Sequence, residues 1–269
     1  MRKLNKRVLW LSSALALLMQ CYSPALLAGQ GCDSKPIEAL TAQHAFELAY
    51  KTQQTLQQHN VEVAMIARVG QDLSKYGLRY SHFGWVKRNA DGHYNIVHLL
   101  NDCGSDHSDI YVEGLANFLL DDLFDFEVLL VIPDAALQQK LKVALEGPLP
   151  RLMHEKDYSL LAYPFDTEYQ NSNQWGLELL AAVQLGQPTS SRKLAQAYLE
   201  QAGFRGDFVS VDPLKRIGAS MFKANVAFTD HPLSERLKGK YQFVSVESAE
   251  RFLKQLSPDA TRLVLRDSK

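Results

Sequence analysis

Residues 80–101 read YSHFGWVKRNADGHYNIVHLLN, and whether they form a hairpin decides what kind of sheet the chain builds. Tyr80 to Lys87 and Tyr94 to Asn101 are rich in β-branched and aromatic residues. Between them lies Asn89-Ala90-Asp91-Gly92, a turn with glycine where positive φ is required. A three-residue loop of Ala90, Asp91 and Gly92, with the glycine in the left-handed bulge position, sets Asn89 opposite His93, Gly84 opposite His98 and His82 opposite Leu100. His82 and His98 are then diagonal neighbours on one face, and a slip of one residue would part them. Alternation puts Tyr80 and Gly84 on the face of His82, with Ser81, Phe83 and Trp85 on the other. A glycine beside an inward-facing histidine leaves room for a ligand or another backbone.

Working outward, Pro36 to Gln58 carries Ile37, Leu40, Phe46, Ala49 and Leu56 at helical spacing. Val61 to Val69 is an apolar strand, Asp109 to Leu120 reads as a short helix, and Phe126 to Ile132 reads as a buried strand. A helix from Asp134, its cap, to Leu145 stops at Gly147. YQNSNQW, residues 169–175, opens another helix, with Trp175, Leu179, Leu180 and Val183 as its buried side. A further helix over 190–202 ends at Gly203. Strands over 208–211 and 242–246, a helix over 247–255 and an edge strand over 261–265 complete the chain. Hairpin connections at the centre favour an α+β fold, a central antiparallel sheet packed by helices, over a doubly wound parallel one. No repeat or linker divides residues 29–269, so they read as a single α+β domain with 204–269 as a C-terminal α/β extension.

Arg2, Lys3, Lys6 and Arg7 precede an apolar run from Val8 to Met19, and Leu26-Leu27-Ala28 supplies small-residue exit signals. Residues 1–28 therefore read as a secretory signal peptide, and the product as exported and periplasmic. Cys21 suggests a lipoprotein less well, because a lipid-attachment site takes a small residue before the cysteine and Gln20 is not small. No later stretch reaches the roughly 20 apolar residues of a membrane span. With Cys21 removed, Cys32 and Cys103 form an even pair in an oxidising compartment and are expected to join in a disulfide. Closing that loop would stabilise the fold by roughly 4 kcal/mol. A net charge of −1, with basic residues scattered, gives no support to a nucleic-acid partner.

The acidic stretch DCGSDHSDIYVEG lacks the spacing of a calcium loop. No HExxH, paired CxxC or glycine-rich phosphate loop points to a metal or another cofactor, and none is expected. In YQNSNQW, Asn171 and Gln174 have the spacing of a polar capping box, and Ser172 or Asn173 could serve the same first-turn amides.

The words RVGQDLSKYGLRYSHFGW, VHLLNDCG, GLANFLLDD, YPFDTEYQNSNQW and FKANVAFTDHP together resemble a family of secreted bacterial proteins catalogued as domain of unknown function 2145. More distantly, a Ser-His-x-Gly strand, a polar residue on the next strand and a later helix preceded by Tyr-x-x-Ser resemble circularly permuted NlpC-type, papain-like hydrolases. That resemblance implies His82 as base and His98 as its orienter. Asn171, with Ser172 beside it, stands where such an enzyme carries its cysteine. Asparagine is no nucleophile, and Ser172 could act only with His82 within about 3 Å of its hydroxyl. The expectation is a papain-like cleft around His82 that binds an amide-containing cell-envelope ligand or protein, with Tyr80, Asn171, Asn173 and Gln174 as ligand contacts. The alternative is an amide hydrolase acting on peptidoglycan or lipoproteins through His82, His98 and Ser172.

Overall fold

The computed structural model describes residues 36–120, 123–186, 191–211 and 225–267. The expected signal peptide, Cys21 and Cys32 lie outside them. Six strands form one antiparallel sheet in the order β4-β3-β2-β1-β5-β8. They are β1 (Val63–Val69), β2 (His82–Arg88), β3 (Tyr94–Asn101), β4 (Ser108–Gly114), β5 (Asp125–Ile132) and β8 (Thr261–Arg266). Every residue of β1 is buried, as are the last six of β5. Strands covered on both faces lose the alternation of a half-solvated sheet and read as continuous apolar runs.

On one face lie α1 (Ala39–Gln58) and α2 (Leu115–Leu120). Leu48, Leu56, Ile66, Ile96, Phe118 and Leu130 share that core. On the other lie α3 (Ala135–Glu146), the short α4 (Leu149–Leu152), α5 (Ser172–Leu185), α6 (Arg192–Gln201) and α8 (Val246–Leu256). Met65, Phe83, Trp85, Leu129, Leu141, Trp175, Leu199 and Phe252 pack together there. A two-stranded ribbon of β6 (Asp207–Ser210) and β7 (Lys240–Phe243), joined by a segment carrying α7 (Leu233–Lys238), forms a satellite cluster around Val209, Phe228 and Tyr241. The stretch from 204 onward thus supplies both the outer strand β8 and the core-packing helix α8.

The hairpin register is the expected one. Arg88 pairs with Tyr94 and Trp85 with Val97, the Asn89 N–H donates to the His93 carbonyl at 2.8 Å, and Gly92 has φ +84°. Four expectations are corrected. Residues 108–114 form β4 rather than the start of a helix, because Ile110, Tyr111 and Val112 suit a strand and the ladder to β3 runs from Ser108 to Gly114. Only Leu115–Leu120 is helical. Tyr80 does not share the face of His82, because the strand begins at His82 and alternation does not extend before it; Tyr80 joins the core of Phe83 and Trp85. Helix α1 buries Ala45, Leu48, Ala49, Thr52 and Leu56 while Ile37, Leu40 and Phe46 are exposed. The period was legible but not its phase, since two alanines form the face that approaches the sheet. The strand expected over 242–246 ends at Phe243, because Ser245 caps α8 in a reciprocal box with Ser248.

Helix α5 crosses the sheet at Gly176, whose carbonyl accepts the Trp85 indole N–H at 3.1 Å. A Cβ on Gly176 would stand 2.5 and 2.6 Å from the Phe83 ring. Gly176→Ala is therefore expected to cost about 1–3 kcal/mol through overpacking. Urea unfolding should show a lower midpoint with an unchanged slope, and an unchanged midpoint would show that Phe83 yields without strain.

Candidate functional site

His82 opens β2 and His98 lies on β3, and the hairpin register turns both toward α2. His82 Nε2 and His98 Nδ1 are 2.9 Å apart, so one ring donates and the other accepts. Both rings lean on Phe118, with centroids at 5.8 and 5.4 Å. Gly84 makes this possible, since a Cβ there would lie 2.8 Å from His98 Cβ and 2.7 Å from Ile96 Cγ2. The room expected beside the histidine is thus filled by the neighbouring strand. Arg68, opposite His82 on β1, lays its guanidinium 4.8 Å above Phe118 and donates to the Phe118 carbonyl. Glu113 Oε2 lies 3.3 Å from His98 Nε2, without the alignment of a hydrogen bond. Burial, and then the charges of Arg68 and His98, hold the His82 imidazole well below its ordinary pKa. At neutral pH His82 is uncharged.

The start of α5 forms a separate polar set. Asn171 caps the helix: its Oδ1 accepts the Gln174 N–H at 2.7 Å, and its Nδ2 donates to the carbonyls of Leu160 and Val244. Asn173 reaches the sheet, its Oδ1 accepting the Phe83 N–H at 3.1 Å and its Nδ2 donating to Ser81 and Val244. The Gln174 amide donates to the Tyr163 carbonyl and to Glu178 rather than back to the cap residue. Burial raises the pKa of the Tyr158 phenol, and the side chain and backbone of Ser172 beside it pull the other way. Because α5 packs on Phe83 and Trp85 while His82 faces Phe118, the two polar sets occupy opposite faces of the sheet. The fold brings His82 to His98 but does not pair Ser172 with His82 among the described residues.

Two buried networks went unread in the sequence. Glu178, fully buried on α5, accepts from Arg192 Nε at 2.8 Å and from the amides of Gln170, Gln174 and Gln196. Glu127 on β5 accepts from Tyr80 at 2.7 Å, Arg79 at 2.8 Å and Arg266 at 2.7 Å. Burial alone would raise the Glu127 carboxyl, but those donors hold it at about 2. The only sequence signal was a glutamate inside an apolar run in each case, LELL and FEVLLVI. Among the described residues, His44, Glu47 and Asp267 could offer a metal one ligand atom each, all within 4.8 Å of one another.

These features define an α+β protein with a six-stranded antiparallel sheet between helical layers and a buried histidine pair within it. The family model described as an uncharacterized protein conserved in bacteria, DUF2145, matches residues 55–253, and the chain belongs to that family. No curated protein and no solved structure matches it. No helix among the described residues is long and apolar enough to cross a membrane.

A histidine whose folded pKa is lowered binds fewer protons in the native than in the unfolded state below about pH 6.5. The stability tied to His82 is present above that pH and is lost as pH falls through it. Thermal melts should therefore show a midpoint that drops between pH 7.5 and 5.5, and His82→Asn should flatten the drop. An equally steep fall in the variant would exclude His82 as its source.

Proposed function

We propose that this chain is an exported, periplasmic envelope protein that binds an amide-containing cell-envelope ligand without cleaving it. The observation supporting this reading is the separation of the polar sets: Ser172 lies beside Tyr158 at the start of α5, whereas His82 is bonded to His98 on the other sheet face. A serine hydroxyl without a base to take its proton is a poor nucleophile. Asn171, Asn173 and Gln174 serve as caps and tethers, which suits a binding frame more than an oxyanion site. Export is inferred from the basic and apolar residues of 1–28, and with it a disulfide from Cys32 to Cys103.

The second reading, an amide hydrolase using His82, His98 and Ser172, draws on one observation. An uncharged imidazole hydrogen-bonded to a second imidazole is what an oriented general base requires.

Purified protein incubated with peptidoglycan fragments separates the two. Binding without turnover is expected, whereas turnover abolished in both His82→Ala and Ser172→Ala would establish the hydrolase. For the cysteines, non-reducing peptide mapping should recover a linked Cys32–Cys103 peptide; alkylation of Cys103 without prior reduction would exclude the bridge.

A further inference from the structure

A pocket of about 420 Å³ opens where β8, the first turn of α8 and the loop before β2 meet. Arg79, Tyr80, Glu127, Glu247, Arg262 and Arg266 supply its polar wall. The β5–β8 register sets Arg266 opposite Glu127 and Arg262 opposite Val131, so alternation turns both arginines toward the α8 side of the sheet. The volume falls in the range of small-ligand sites.

The two carboxylates of this pocket are in different states. Glu127 is saturated by Tyr80, Arg79 and Arg266. Glu247 is not: its Oε1 accepts the backbone N–H groups of Arg79 at 2.7 Å and Tyr80 at 3.0 Å, while its Oε2 is buried with no partner among the described residues. A buried carboxylate oxygen without a donor is costly, and so marks a place where a donor is expected.

The arginines offer the converse. Arg266 uses its Nε on Glu127 and Arg262 uses its Nε on Glu250 at 2.8 Å. Against the effect of burial, Glu250 and then the nearby Tyr80 hold the Arg262 guanidinium above its ordinary pKa. The side chains of Arg266 and Arg262 are 69% and 40% exposed. A guanidinium carries five N–H donors in a fork that matches a carboxylate, so donors remain on both.

We propose that this pocket binds the C-terminal end of a peptide, with the terminal carboxylate on Arg262 and Arg266 and a backbone N–H of the peptide on Glu247 Oε2. A simple anion would leave Glu247 without a donor and meet its charge. A simple cation would face three guanidiniums. A peptide end carries both an N–H and a carboxylate, and it answers both walls. This site gives the binding function proposed above a ligand class, and it rests on that reading.

The test uses the full exported chain and isothermal titration with N-acetyl-alanyl-alanine, in both the L,L and D,D forms, against the same dipeptides amidated at the C-terminus. The free acid of at least one form is expected to bind about tenfold more tightly than its amide, the gain of a charge-assisted pair. Arg262→Gln should reduce the acid to the level of the amide. Glu247→Gln should weaken both, because its side-chain oxygen is held by the two backbone N–H groups and its amide nitrogen then faces the ligand. Circular dichroism checks that each variant folds; should one fail, the acid-to-amide ratio of the wild type decides alone. Equal binding of acid and amide, or binding of neither, overturns the proposal. Chromatography of the same mixtures reports cleavage separately: intact probes that do not bind sink the pocket and leave the binding function standing, while cleaved probes sink the non-catalytic reading.

Discussion

A fully buried carboxylate, Glu178 at the middle of α5, constrains the arrangement of everything around it. Removing a charge from water is affordable only with close partners of opposite charge and full hydrogen bonding. Here Arg192 from α6 provides the charge, and three glutamine amides fill the remaining acceptor sites. Arg192 in turn donates to the carbonyls of Thr167 and Tyr169, so the loop leading into α5 is held by the same centre. The network therefore ties α5, α6 and the 166–170 loop together. It also accounts for Gln174, whose amide is drawn inward to Glu178 instead of closing the cap.

The sheet separates what the chain might have combined. Its two faces are packed by different helices, and each carries its own buried polar group. Beneath α2, His82 and His98 bond to each other beside Phe118 and Arg68. Beneath α5, Asn173 bonds to the backbone at Phe83 and Ser81, joining the helix start to β2 directly. The strand that presents His82 to one side thus presents its neighbours to the other. A one-residue alternation decides which polar groups can meet.

Much of this was legible from local pattern. Asn89-Ala90-Asp91-Gly92 carries its own turn geometry, so the hairpin and the His82–His98 pairing follow from a few residues. Asp134 and Asn171 each cap a helix because a short polar side chain satisfies an amide three residues on. The misreadings have a common cause. Whether 108–114 was strand or helix, and which side of α1 was buried, depended on what lay beside them: β3 in the first case and the sheet in the second. Such information is absent from a local window.

The sequence by itself determined the central hairpin and its register, the helix caps at Asp134 and Asn171, and the family. The local features depend on interactions spanning a few residues, and the family rests on the match over residues 55–253. Only the tertiary structure decided that Ser172 and His82 lie on opposite faces of the sheet, that Glu178 and Arg192 form a buried pair, and that Arg79, Glu127, Glu247, Arg262 and Arg266 converge on one pocket. Those residues come from strands, helices and loops far apart in the chain. Their meeting is set by sheet order and by which face each helix covers, and no spacing in the sequence encodes either.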